Sequence, residues 1–105
     1  PRMGKRYKLT KDAESDLREV ARYTLGEWGS SHFKVYRAGL NKAFVDLAEN
    51  KLAGKSFSNG FPRLRVKKYR YHYIFYLFNT DQKAVIVGVI HEKRDIVSRL
   101  RERIE

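Results

Sequence analysis

The sequence contains no cysteine and no long apolar run, and these two absences exclude several classes of protein. Without cysteine there is no disulfide framework, no thiolate metal site and no cysteine nucleophile, which favours a reducing, cytoplasmic location. No segment approaches the roughly 18 to 20 apolar residues that span a bilayer, so no membrane association is expected. Walker loops, GxSxG elbows and helical histidine pairs are missing too, and neither a metal nor a cofactor is predicted.

Acidic residues are also scarce. The chain of 105 residues carries 23 lysines and arginines against 12 aspartates and glutamates, a formal net charge of +11. Residues 51–105 hold 13 of these cations and 5 anions, so this half alone has a net charge of +8. Such a charge attracts acidic partners, either nucleic acid or acidic protein. The alternative is that the basic surface serves only to keep the protein soluble. The length allows one domain over residues 1–105, in which Pro1-Arg2 is read as an addition before a natural start at Met3.

Helical periodicity is clearest in the first half of the chain. After a short strand at residues 5–9, Thr10 is a suitable N-cap for a helix over residues 11–28. Gly29 ends this helix, and one of the two serines that follow caps a second amphipathic helix that runs to Ala48. The break is so short that the two helices are predicted to form an antiparallel hairpin.

The second half predicts three strands and a final helix, after an irregular loop over residues 50–62. Strands are placed at 63–69, 71–79 and 84–91, a turn at 80–83, and an amphipathic helix at 96–105 with Arg99, Arg101 and Arg103 outside. The predicted fold class is α+β, in the order β-α-α-β-β-β, with the helical hairpin packed on an antiparallel-rich sheet and a short C-terminal helix. The last two strands are apolar on both faces, so we expect the second face to be covered by the C-terminal segment, by a partner or by both.

A cation-rich segment leads directly into the aromatic strand. Residues 63–70 contain five lysines and arginines, and the polar cluster 91–95 ends the next strand, so two basic strand ends are predicted to share one edge. Such cations can stabilise the charge of a phosphoryl transition state in a nuclease without metal. However, no tyrosine or histidine follows Arg94 to carry the proton, and only His91 emerges beside the cations, next to Lys93.

These segments also resemble a known family. The stretch from Arg63 to Tyr76, followed by the stretch from Val87 to Asp95, is similar to the ParE branch of the RelE/ParE toxin superfamily. The opening agrees in the spacing of Leu9, Thr10, Ala13, Leu17, Ala21, Thr24, Trp28 and Gly29. The resemblance extends over nearly the whole chain.

The resemblance implies the toxin of a bacterial type II toxin–antitoxin module. Such a toxin poisons DNA gyrase, reaches DNA indirectly through gyrase, and is held in a hetero-oligomer by a ParD-like antitoxin that wraps around it. Arg70 and Arg94 fall near catalytic arginines of the RelE-type ribosome-dependent mRNA endonucleases, and Arg63 near a catalytic lysine, but the C-terminal tyrosine of that branch has no counterpart. A gyrase inhibitor is therefore favoured over an endonuclease, and a basic interaction module without toxicity is the third alternative.

Two sets of candidate residues follow, and neither contains a catalytic residue or a metal ligand. The set expected to face gyrase or nucleic acid consists of Arg65, Lys67, Arg70, His91, Lys93 and Arg94. The set expected to face the antitoxin consists of Tyr71, Tyr73, Phe75, Leu77 and Arg63. An acidic antitoxin segment that folds as it binds would match both the apolar strand and the basic half of the chain.

Overall fold

The computed structural model of the chain describes residues 7–50, 53–57 and 60–104. Its elements are β1 (Tyr7–Leu9), α1 (Lys11–Glu49), β2 (Lys55–Ser56), β3 (Arg65–Tyr69), β4 (His72–Phe78), β5 (Ala84–His91) and α2 (Ile96–Ile104). The predicted α+β class is confirmed, whereas the interpretation of residues 1–3 lies outside the described residues. Across the described ranges, no helix has both the length and the apolar character needed to cross a membrane.

The long helix α1 bends back on itself at Gly29. This glycine has φ 86° and ψ 176°, a left-handed backbone conformation that glycine adopts without a steric penalty. An unbroken helix of 39 residues would be about 58 Å long, whereas the longest dimension of the molecule is 39 Å. The predicted hairpin is therefore present, with a first arm over residues 11–28 and a second arm over residues 30–49.

The first arm begins at the predicted cap. The Oγ1 atom of Thr10 accepts the Ala13 N–H at 3.1 Å, and Asp12 and Glu14 place negative charge in the first turn, where the helix dipole favours it. The Thr10 N–H in turn donates to the Ile86 carbonyl at 3.1 Å. The start of the hairpin is thus fixed directly to the sheet.

The five strands form one sheet in the order β1-β5-β4-β3-β2. The β1–β5 pair is parallel and the other three pairs are antiparallel. The predicted bounds of β5 are confirmed, but β3 begins at Arg65, two residues late, and β4 begins at His72, because Tyr71 lies in a turn. The loop prediction was wrong at Lys55 and Ser56, since these exposed polar residues become a strand by pairing with the start of β3.

The sheet is buried on both faces. The helical hairpin covers one face, in a core that includes Val20, Tyr36, Leu40, Phe44, Ile74, Tyr76, Ile86 and Val89. Residues of the β2–β3 connection and of α2 cover the other face, in a second core of Phe61, Leu64, Phe75, Val87, Ile90 and Leu100. Each large apolar side chain removed from water contributes about 1.5 to 3 kcal/mol. The C-terminal segment therefore supplies part of the cover expected for the second face.

An ion pair completes the outer edge of β5. In the described part of the chain, β1 pairs with only the first three residues of β5, which leaves the rest of that edge without a neighbouring strand. The Asp16 carboxylate accepts the Val89 N–H at 2.8 Å, and the Arg103 guanidinium donates to the Val87 carbonyl at 3.1 Å. Arg103 also donates twice to Asp16, at 2.7 Å each, which raises the pKa of Arg103. We call Asp16 and Arg103 the edge ion pair.

The position of Arg103 corrects the prediction that it lies on the outer face of α2. Its side chain turns inward and is only 13% exposed. Gly88 makes this possible, because a Cβ atom at that position would lie 2.8 Å from Nη1 of Arg103. The edge ion pair therefore joins the two elements that cover opposite faces of the sheet.

Candidate functional site

The two basic strand ends meet at one edge of the sheet, as the sequence predicts. Tyr69 pairs with His72 around a two-residue turn, and His72 pairs with His91 at the end of β5. The Glu92 N–H donates to the Tyr71 carbonyl at 2.9 Å, which joins the turn after β5 to the turn before β4. This arrangement collects four candidates that we call the basic edge: Arg70, His91, Lys93 and Arg94.

Arg70 occupies an unusual backbone position in the β3–β4 turn. Its φ is 52°, in the left-handed region where hairpin turns normally place glycine, asparagine or aspartate. Its guanidinium lies 5.6 Å from the centre of the Tyr69 ring and is otherwise exposed. A side chain in this conformation costs about 1 to 2 kcal/mol, and such strained positions cluster at binding sites. Its strained backbone therefore distinguishes Arg70 from the other residues of the basic edge as a candidate for ligand contact.

The acidic residues near the basic edge are paired with Lys68 and with one member of the edge, Arg94. Glu92 lies 2.7 Å from Lys68, a hydrogen bond that lowers the pKa of Glu92, and Glu19 lies 2.9 Å from Arg94. Within residues 7–50, 53–57 and 60–104, Arg70 and Lys93 have no ion-pair partner. The basic edge thus presents two uncompensated positive charges to solvent.

The structure does not bring Arg65 to the basic edge. Arg65 pairs with Tyr76, about 16 Å along β3 from Arg70, and donates to the Gly54 carbonyl at 2.6 Å. Lys67 lies between the two positions, opposite Ile74. The predicted basic set therefore divides into a cluster at the edge and two residues further along the strand.

The residues predicted to face the antitoxin also separate. Tyr73, Phe75 and Leu77 belong to the face covered by α2, and Phe75 is 1% exposed, with the Phe57 ring 5.2 Å away. Tyr71 lies in the β3–β4 turn instead. Arg63 donates to the Phe78 carbonyl at 3.2 Å, at the far end of β4.

A buried tyrosine–histidine pair lies behind the basic edge. The Tyr36 hydroxyl is 2.7 Å from Nδ1 of His72, and both side chains are almost completely buried. Burial, with a smaller contribution from His91, lowers the pKa of His72 to about 4, and burial raises the pKa of Tyr36 to about 12. Both groups are therefore neutral at neutral pH. The tautomer of His72 sets whether the Tyr36 hydroxyl donates to Nδ1 or accepts from it, and the Tyr69 carbonyl, 3.3 Å from the hydroxyl, is a second acceptor. Helical spacing identified Tyr36 only as a core residue, because its partner is distant in sequence.

The buried histidine predicts a pH-dependent stability. The unfolded chain binds a proton at His72 near pH 6.5, whereas the folded chain binds it only near pH 4. The free energy of unfolding is therefore expected to fall by about 3 kcal/mol from this residue as the pH is lowered through that interval. In urea unfolding between pH 4 and 7, His72→Gln should flatten this dependence, while His32→Gln, which changes an exposed histidine, should keep it. If the free energy of unfolding depended equally on pH in the two variants, His72 would not be the source of the pH dependence.

The fold is shared with chains of two toxin–antitoxin systems of known structure. The chromosomal ParDE system of Pseudomonas aeruginosa contains a chain that matches with a TM-score of 0.69 and 13% identity, over 81% of this chain and 92% of that one. The RelBE2 toxin–antitoxin complex of Mycobacterium tuberculosis matches with a TM-score of 0.60 and 20% identity, over 84% and 91% of the two chains. The architecture is that of chains found in these ParDE and RelBE2 systems.

The sequence comparisons define the family within this class. The sequence model of the family described as the ParE toxin of the type II toxin–antitoxin system parDE matches residues 7–96. Toxin ParE of Escherichia coli is 37% identical over 99 residues, which cover 94% of this chain and 96% of the relative. The chain belongs to the ParE toxin family of type II toxin–antitoxin systems, in agreement with the resemblance seen in the sequence.

Proposed function

We propose that this toxin poisons DNA gyrase and blocks replication, and that it does so without a catalytic residue of its own. The basic edge supports the proposal, because Arg70 and Lys93 are exposed cations without ion-pair partners in the described ranges. Tyr36 and His72, which lie behind them, are buried and neutral at neutral pH, so neither is suited to general acid–base work. Such a surface suits binding to a polyanionic assembly, namely gyrase with its DNA.

We also propose a ParD-like antitoxin as the partner in a hetero-oligomer. Tyr73 and Phe75 line a largely apolar cavity of about 370 Å³ beside α2, together with Phe57, Val66, Ile96 and Val97. Its one acidic residue, Glu92, is paired with Lys68 at 2.7 Å. An acidic segment that is disordered before binding would bury this surface and be attracted to the basic half of the chain. The structural relative from Pseudomonas aeruginosa belongs to a ParDE system, which agrees with this type of partner.

Purified toxin added to gyrase and plasmid is expected to inhibit supercoiling and to accumulate linear, cleaved DNA. Prior mixing with the co-expressed product of a neighbouring ParD-like gene should restore supercoiling. Lys93→Ala should raise the toxin concentration needed for half-inhibition about ten-fold, since a charged contact is lost. The matched control is Lys42→Ala, which removes the same charge from an exposed position on α1 and should change little. Unaltered gyrase at a large toxin excess would refute the proposal.

One observation favours an endonuclease as the second candidate. His91 lines a cavity of about 180 Å³ with Arg94 and Arg99, and its Nδ1 accepts the Lys93 N–H at 3.1 Å, which leaves Nε2 to act on a ligand. A ribosome-dependent mRNA endonuclease would make codon-positioned cuts that disappear in Arg70→Ala. Normal growth after induction without antitoxin would contradict both candidates and indicate an interaction module without toxicity.

A further inference from the structure

We propose that a pocket beside the basic edge binds single-stranded nucleic acid by stacking one nucleobase. This aromatic pocket has a volume of about 280 Å³ and is lined by Tyr23, Trp28, Tyr71, His91, Glu92 and Lys93. The inference deepens the proposed function, since the pocket shares His91 and Lys93 with the basic edge. It adds a class of ligand, a flexible strand with unpaired bases, and a set of ring side chains that contact it.

The rings of the aromatic pocket are both exposed and held in place. Trp28 is 53% exposed and stacks on His32, with ring centres 5.2 Å apart and an angle of 26°. Tyr71 is 45% exposed and lies parallel to Tyr36, at 6.3 Å and 8°. Another ring lies against each of them, and about half of each residue remains open to a ligand. Nucleobases stack on such surfaces whatever their identity.

The chain places these rings where they cannot join either core. Trp28 directly precedes the bend of α1 at Gly29, and Tyr71 follows Arg70 in the two-residue β3–β4 turn. Tyr23, five residues before Trp28, completes the cavity and is 48% exposed. A single exposed aromatic residue is ordinary, but three exposed aromatic residues line this one cavity.

The charges around the aromatic pocket suit the phosphates on either side of a stacked base. Arg70 and Lys93 are unpaired within the described ranges, and the pocket's own acid, Glu92, is neutralised by Lys68 at 2.7 Å. Cations next to aromatic rings are the usual combination in proteins that bind single strands. The volume falls just below the roughly 300 to 1,000 Å³ of pockets for drug-sized ligands, so it suits a single planar ring system.

The test uses the only tryptophan of the chain, Trp28, whose fluorescence reports directly on the aromatic pocket. The full chain is titrated with single-stranded oligo(dT), oligo(rU) and a DNA duplex of equal length. Saturable quenching by a single strand, with weaker quenching by the duplex, is the expected result. Whichever of the two strands, oligo(dT) or oligo(rU), binds more tightly shows whether the natural ligand is DNA or RNA. No gyrase is present, so a failure here leaves the gyrase assay as an independent test of the proposed function.

Variants separate stacking from general attraction. Tyr71→Ala should raise the Kd about five- to a hundred-fold. Tyr71→Phe keeps the ring and should bind nearly as the parent does. It also provides a test if the alanine variant does not fold. Lys93→Ala should weaken binding about ten-fold. Lys42→Ala carries the same charge change outside the pocket and should not. Absence of quenching, equal quenching by duplex, or equal effects of the two lysine variants would overturn the proposal.

Discussion

Replacement of Asp16 by alanine is expected to lower the free energy of unfolding by about 3 to 5 kcal/mol. Asp16 is 4% exposed, and its carboxylate accepts hydrogen bonds from Nη1 and Nη2 of Arg103 and from the Val89 N–H. Its removal leaves a largely buried guanidinium and a buried N–H group without this partner. The loss is large against the 5 to 15 kcal/mol that typically separates a folded domain from its unfolded chain.

Chemical denaturation of matched variants measures this effect. Asp46→Ala also removes a carboxylate near a cation, but its pair with Lys42 is exposed, at 3.9 Å, and should contribute less than about 1 kcal/mol. Adding Arg103→Met to Asp16→Ala should recover part of the stability, because no unpaired charge is then left buried. Equal unfolding midpoints for Asp16→Ala and Asp46→Ala would show that the edge ion pair does not stabilise the fold.

Replacement of Arg70 by glycine is expected to abolish most of the toxicity without loss of stability. Glycine relieves the positive φ, while the lost contact with the Tyr69 ring offsets part of that gain. The net change in the free energy of unfolding should lie between zero and about +1 kcal/mol. A charged contact to gyrase or DNA is lost at the same time, so the concentration for half-inhibition should rise at least about ten-fold.

Gln82→Gly provides the matched control for this experiment. Gln82 has a φ of 65° in the turn between β4 and β5, at the opposite end of these strands from Arg70. The same relief of backbone conformation is expected there, but growth inhibition after induction should be unchanged. If the Arg70→Gly variant kept full toxicity, or lost toxicity only because it no longer folded, Arg70 would not contact gyrase or DNA.

The elements that could be predicted from the sequence are those with local signals. The cap at Thr10, the bend at Gly29 and the bounds of β5 follow from residue types and periodicity within a few positions of each feature. The meeting of the basic strand ends also follows, because a tight turn fixes the register of adjacent antiparallel strands. These signals define the fold class and place Arg70 near His91.

The features that could not be predicted depend on residues far apart in the chain. The two-residue strand β2 has no hydrophobic alternation of its own, and its pairing with β3 decides its conformation. Arg103 follows the helical spacing of an outward residue, yet its long side chain reaches Asp16 at a separation of 87 residues. The same limit applies to Tyr36 and His72, whose periodicity indicates burial but not a shared hydrogen bond.

The pairing of the first strand with the last gives this toxin a late folding step during its synthesis. Tyr7 pairs with Ala84, so β1 has no neighbour in the sheet until β5 has left the ribosome. Contacts of such high sequence separation form slowly, because a long loop must close before they are made. A nascent chain that ends before β5 also lacks His91, Lys93 and Arg94. The growing polypeptide therefore acquires the basic edge only after β5 and the turn that follows it have been synthesised.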